Sequence, residues 1–269
     1  MDNNMGIQGF LKEIVGIKSA EISAARAREP LSAVRRRAEQ SSACPDFLKA
    51  LEQAGPEHIG IIAEVKKASP SKGDIRPDLD PAACAAAYTN AGACAISVLT
   101  ESRYFKGSMN DLETVCQNTH LPVLRKDFII NEYQIYEAGA FGASSVLLIT
   151  TILSKEQLKD YIILARELGM EPLVEITSEY EFETAYCAEA KTIDINNRNL
   201  QTLETDLNVS GRIASILPDD IIPVEASGIS CHKDIEKGIS CRIFNFLVGE
   251  SIVKADDPES FIRELKNEA

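Results

Sequence analysis

Eight short apolar runs constrain this chain more than any other feature: Ile59–Val65, Ala95–Leu99, Pro122–Leu124, Ser145–Ile149, Pro172–Ile176, Thr192–Ile195, Ile221–Val224 and Ile243–Val248. They are apolar almost throughout rather than at every second residue, which is the pattern of parallel strands buried on both faces. The stretches between them carry helix start signals. Asp80-Pro81 precedes the Ala-rich stretch Ala82–Asn90, with proline at the first helical position. Asn131 with Gln134, Ser154 with Gln157, and Ser178 with Glu181 have capping-box spacing. After Ser154, Leu158, Tyr161, Ile162 and Ala165 fall on one helix face, and Gly169 suits the stop. Asp257-Pro258 opens a last helix. Strands alternating with helices imply a parallel sheet, and eight is the number that closes a barrel. The expected fold class is therefore α/β, a (β/α)8 TIM barrel with an N-terminal helical extension. An open, doubly wound sheet is the competing topology. No GxGxxG follows the first run, which weighs against a dinucleotide-binding version of it.

The extension occupies residues 1–55 of what reads as one domain, 1–269. Within it, Phe10–Ile14 and Ile22–Ala38 read as helices that would cap the barrel mouth or its base. No linker, low-complexity tract or repeat beyond the strand–helix unit interrupts the chain.

Charge narrows the partners. A formal net charge of −13 argues against nucleic acid, which needs a basic surface, but leaves room for a small anion in a local basic pocket. No apolar run approaches the ~18 residues of a membrane span, and the N-terminus does not read as a signal peptide. Seven cysteines without a CxxC cannot all pair, so reduced thiols in a cytoplasm are expected.

In such a barrel, chemistry sits where strands end. The first run ends in Glu64-Val65-Lys66, which places Glu64 and Lys66 on one face. The following loop, Lys67–Gly73, is rich in hydroxyls and cations. The third run enters Arg125-Lys126-Asp127-Phe128, the fifth ends in Val174-Glu175-Ile176, and the sixth enters Asn196-Asn197-Arg198. Singly, each is an ordinary capped strand end. Together they ring one mouth with lysines, an arginine and carboxylates, a set able to act as acid and base. The seventh and eighth runs end in Ser227-Gly228 and Gly249-Glu250, where this fold often cradles phosphate on backbone N–H groups. His58, His120 and His232 have no ligand spacing, so no metal site is expected.

These motifs carry a resemblance. Glu64-Val65-Lys66-Lys67-Ala68-Ser69-Pro70-Ser71-Lys72-Gly73, Leu124–Ile130, Leu173–Glu175 and Ile195–Leu200 resemble the strand-end signatures of the indole-3-glycerol-phosphate synthases. Phe105-Lys106-Gly107-Ser108, Ser227-Gly228-Ile229 and Phe246–Ser251 match as well, in register from about residue 8 to 265. The resemblance implies ring closure and decarboxylation of 1-(2-carboxyphenylamino)-1-deoxyribulose 5-phosphate in tryptophan biosynthesis, with no cofactor or metal. It implies Lys126 as general acid and Glu175 as general base. Lys66 would stabilise negative charge, Glu64 would hold the lysines, and Asn196 and Arg198 would orient the anthranilate part. Phe128 and Leu147 would bury its ring. Ser69, Ser227, Gly228, Gly249 and Glu250 would hold the phosphate. The implied partners are the small phosphorylated substrate and other tryptophan-pathway enzymes, with no nucleic acid and no membrane.

Two positions depart from the family pattern. Ala226 stands where a glutamate is usual, with Glu225 one residue earlier and so on the opposite strand face unless a bulge intervenes. Asp194 stands where glycine is common, and is expected to sit against a helix or disturb the sixth strand. Ala226 keeps two other readings open: a diverged paralogue acting on another phosphorylated sugar–amine, and a catalytically silent ligand-binding barrel.

Overall fold

The computed structural model describes residues 9–41, 44–199, 204–206 and 208–268. Eight parallel strands form a closed barrel: β1 (Gly60–Val65), β2 (Ala95–Leu99), β3 (Val123–Lys126), β4 (Ser145–Ile149), β5 (Leu173–Ile176), β6 (Thr192–Asn196), β7 (Ile222–Ala226) and β8 (Asn245–Val248). Each pairs with its sequence neighbours, and β1 closes the ring against β8 in the register Gly60↔Asn245 to Ala63↔Val248. The open-sheet alternative is thereby excluded.

Strand alternation splits the apolar residues into two layers. Ile62, Leu124, Leu147, Leu173, Val224 and Leu247 point inward and fill the barrel. Their neighbours Ile61, Val98, Leu148, Val174, Ile193 and Phe246 point outward, into the shell between strands and helices. Each such fully buried side chain contributes roughly 1.5–3 kcal/mol of transfer free energy, so a one-residue slip in any strand would be costly on both faces.

Three strands run past the apolar segment that announces them. β3 continues to Lys126, β6 to Asn196 and β7 to Ala226, because the ladder partners Leu99↔Lys126 and Asn196↔Ala226 are still in place there. β8 begins later than its apolar run, at Asn245. Backbone pairing, not side-chain hydropathy, ends a strand.

The helix signals act largely as read. Asp80, Asn131, Ser154, Ser178 and Asp257 each accept a first-turn backbone N–H. Only Ser154 with Gln157 completes a capping box. Gln134 Oε1 accepts instead from Ile130 N, and Glu181 Oε2 from Thr177 N, one residue before each cap.

The extension differs from its sequence reading. One helix, α1 (Phe10–Arg28), replaces the expected Phe10–Ile14 and absorbs the start of the second. The expected Ile22–Ala38 helix breaks at Glu29-Pro30, and α2 (Leu31–Glu39) resumes after it. Proline lacks the N–H that would continue the ladder and disfavours helix at the residue before it. A short α3 (Phe47–Glu52) follows, capped by Asp46. Both ends of the barrel are covered. Phe10 of α1 lies edge-on to Phe128 beyond β3. At the base, Phe47 and Leu51 of α3 join the interior cluster, and Asn245 Nδ2 donates to the Leu51 carbonyl at 3.2 Å.

Candidate active site

The C-terminal ends of the strands enclose a cavity of about 340 Å³, a size suited to a small ligand. Its charged floor follows from strand alternation. Glu64, Lys126, Glu175, Asp194 and Asn196 are inward-pointing strand residues, with Lys66 one step beyond β1. Lys66 Nζ lies 2.7 Å from Glu64 Oε1. Lys126 Nζ lies 3.2 Å from Glu175 Oε2 and 3.7 Å from Asp194 Oδ2.

Asp194 corrects an expectation. It neither leans on a helix nor disturbs β6, which is paired regularly on both sides, with Asp194 opposite Glu175 on β5 and Val224 on β7. Its carboxyl is fully buried inside the barrel. The floor thus holds two ammonium groups and three carboxyls. Two unit charges about 4 Å apart attract by about 4 kcal/mol at an effective dielectric near 20, whereas desolvating each ion costs several. One lysine shared between two carboxylates does not offset both. Burial accordingly pushes the Asp194 carboxyl up to about 8; the charges of Glu175 and Glu64 add to this, against the pull of Lys126. For Lys126 burial works against the charge, but Glu175, Asp194 and Glu64 outweigh it and hold the ammonium above its ordinary range. Glu175 Oε1 and both Asp194 oxygens have no hydrogen-bond partner among the described residues.

The rim is built from backbone. Ser227 and Gly228 both adopt positive φ, 71° and 89°, and Ser251 Oγ donates to the Ile229 carbonyl at 2.6 Å, tying the β7 and β8 loops together. Gly249 precedes a short helix, α4 (Glu250–Lys254). A Cβ at Gly249 would collide with the Glu64 carboxylate, so glycine lets the β8 turn pass over the Glu64–Lys66 pair without displacing it. The Glu250 carboxylate is held by Lys254 at 2.6 Å.

On the far wall, Asn196 Oδ1 accepts from Arg198 N at 3.0 Å, and Arg198 Nη1 donates to Ser71 Oγ at 2.8 Å, bridging the β6 and β1 loops. Arg198 Nε is buried without a partner among the described residues. Leu147 and Phe128 give the wall an apolar face.

Of the site residues expected from sequence, all line the cavity except Ser69, whose hydroxyl is buried within the paired segments Ala68–Ser69 and Gly73–Asp74. Leu200, which closes one of the motifs, lies outside the described residues. Lys67 points away and pairs with Asp111 at 2.7 Å. Phe105, packed 6.3 Å from the Phe128 ring, also lines the cavity; no strand end announces it. Ala226 faces the cavity and Glu225 faces out, because the β6–β7 register runs unbroken through Ile195↔Glu225 and Asn196↔Ala226. Glu225 Oε1 accepts from Asn197 Nδ2 at 2.8 Å and Ser210 Oγ at 2.9 Å. His232 Nδ1 donates to the Leu265 carbonyl at 2.8 Å. Among the described residues no group of three His, Cys, Asp or Glu is placed to hold a metal ion.

A family model described as indole-3-glycerol phosphate synthase matches residues 11–265. An indole-3-glycerol phosphate synthase of Desulfosudis oleivorans is 48% identical over 95% of this chain and 98% of its own length. One from Carboxydothermus hydrogenoformans is 43% identical over 93% and 96%. A multifunctional tryptophan biosynthesis protein of Schizosaccharomyces pombe is 47% identical over 83% of this chain but only 30% of its own length. Among solved structures, thiamine phosphate pyrophosphorylase from Pyrococcus furiosus aligns with a TM-score of 0.59 at 14% identity, over 78% of this chain and 95% of that one, a likeness of fold.

Proposed function

The chain belongs to the indole-3-glycerol phosphate synthase family and is an enzyme of tryptophan biosynthesis, and on that premise we propose how its residues divide the ring closure. The observation that carries the assignment is the Lys126 ammonium, held within 3.2 Å of Glu175 on the floor of a cavity that is apolar on one wall and glycine-turned at the rim.

The substrate's anthranilate ring lies against Phe128 and Leu147, with its carboxylate on Arg198, whose planar fork suits a carboxylate and whose Nε has no partner among the described residues. The phosphate sits at the opposite rim, on the Ser227-Gly228 turn and the backbone at Gly249-Glu250. Ser69, buried outside the wall, has no part in this reading. Between these anchors the carboxylate-bearing ring carbon meets the sugar ketone carbon. As that bond forms, Lys126 donates a proton to the ketone oxygen, and Lys66 stabilises the charge developing there. Loss of carbon dioxide returns its bonding electrons to the ring. Lys66 then gives a proton to the new hydroxyl, which leaves as water, while Glu175 accepts a proton from the methylene carbon beside the nitrogen. Asn196 orients the amine side, and Glu64 holds Lys66.

The test is indole fluorescence during incubation with 1-(2-carboxyphenylamino)-1-deoxyribulose 5-phosphate, beside Lys126→Met. Rising fluorescence with the parent and a rate lower by about 10²–10⁴-fold with the variant are expected. A folded parent that binds the compound without turnover would sink the residue assignment and revive the silent-barrel reading attached to Ala226.

No disulfide joins any of the seven cysteines, all of which lie among the described residues, which supports a reducing, cytoplasmic setting. The fusion in the Schizosaccharomyces pombe relative supports association with other enzymes of the same pathway. No helix among the described residues is long and apolar enough to cross a membrane.

A further inference from the structure

The proposed roles of Lys126 and Glu175 leave one buried group without work. Asp194 is fully buried on the inner face of β6, behind the residues that line the cavity, and has neither oxygen in a hydrogen bond among the described residues. Its nearest cation is Lys126 Nζ at 3.7 Å, beyond hydrogen-bond reach. Its register partner on β5 is Glu175, whose Oε1 is likewise buried and unpartnered. The groups facing it are therefore Lys126 on β3, Glu175 on β5 and, further off, Glu64 on β1. On the β7 side its register partner is the apolar Val224.

Two in-register carboxyls on adjacent strands, each with an unsatisfied oxygen and only one lysine between them, cannot both stay ionised in a dry barrel. A single proton between them satisfies an oxygen on each and leaves the floor neutral, with two ammonium groups against two carboxylates. We propose that Asp194 is a positioning residue: it shares a proton with Glu175 and thereby sets how tightly Lys126 holds its own. This rests on Lys126 and Glu175 being the acid and base.

The direction of the effect follows from charge. While the pair holds its proton, Lys126 faces one net negative charge and can give up its proton to the ketone oxygen. Once Asp194 ionises, a second negative charge stands beside Lys126, the ammonium is held more tightly, and it becomes a weaker acid. Turnover therefore falls as pH rises through the Asp194 ionisation, near 8. Asparagine at this position keeps shape and neutrality but cannot ionise.

The test is kcat and KM against pH for the parent and Asp194→Asn in the indole-forming assay. The parent should lose kcat on the alkaline side of about 8. The variant should lack that alkaline fall, with KM held across the same pH range. A variant that keeps the parent's alkaline fall overturns the proposal. So does one whose KM rises while the shape of its pH profile stays the same. If Asp194→Asn does not fold, infrared difference spectra of the parent decide. A protonated-carboxyl band present at neutral pH and lost through pH 8 supports the proposal, and its absence at neutral pH overturns it. Failure of the underlying site reading shows separately, as an inactive parent or an active Lys126→Met.

Discussion

β3 ends in two charged clusters that share a strand and differ in everything else. Outward, Asp127 accepts from Lys18 at 2.8 Å, Arg125 at 3.1 Å, Thr100 at 2.7 Å and its neighbour Phe128 N at 2.8 Å. Two cations serve one carboxylate. Although burial alone would raise it, Lys18 and Arg125 pull this carboxyl down to about 2. Inward, one residue earlier, Lys126 is shared by two carboxyls with three unsatisfied oxygens between them, and burial wins at Asp194. The same degree of burial thus gives opposite outcomes, decided by the ratio of cations to carboxylates. A saturated network fixes geometry; here it locks α1 onto the β3 loop. An unsaturated one keeps groups whose protonation can change.

That contrast can be broken from either side. Lys126→Met should cost the most, the activity loss of the proposed acid, while thermal unfolding stays close to the parent; a large drop in Tm would mean that the inner cluster is structural too. Asp127→Ala should do the reverse. It strands Lys18 and Arg125 in the interior and should destabilise by about 3–5 kcal/mol in denaturant unfolding, and a loss under ~1 kcal/mol would remove the claim that the outer cluster is the lock. Gly249→Ala tests how tightly the inner cluster is placed. The new Cβ must displace Glu64 and with it Lys66, and a shift of an ångström is expected to lower kcat/KM by about 10²-fold. Unchanged kinetics would mean that the β8 turn has slack. The smallest effect is on acid stability. The folded pKa of Asp127 lies below the unfolded one, so its contribution is complete above about pH 4 and is lost as pH falls toward 2. Asp127→Asn should flatten the parent's acid limb by roughly 2–3 kcal/mol, and an equally steep limb in the variant would assign it to other carboxylates.

Much of the site was legible because its signals are local. Glu64, Lys66, Lys126, Glu175 and Asn196 each end an apolar run, and parity along a strand puts them on the inner face without knowledge of any other strand. Parity also ruled Glu225 out as a stand-in at Ala226, and the unbroken β6–β7 register bears this out. Asp194 obeys the same parity as Asn196, two residues on, yet read as a disturbance, because a carboxylate deep in an apolar run looks unfavourable until a lysine is seen beside it. Ser69 entered as a phosphate ligand through the resemblance alone, and in the fold its hydroxyl is buried off the cavity wall, since a motif does not say which way a hydroxyl turns. Pro30 was an available signal for the helix break.

The sequence by itself determined the eight strand–helix units, most of the helix caps and which face of each strand is polar, since these depend on residues within a few positions of one another. The tertiary structure decided which polar ends meet. Lys126 and Asp194 are 68 residues apart in number, and Glu64 and Gly249 are further still. They become neighbours only when β8 closes on β1 and the stagger of the strands sets their heights. Whether Asp194 keeps its proton is decided at that stage too, because it depends on how many cations the closed barrel brings within reach of a group that water no longer touches.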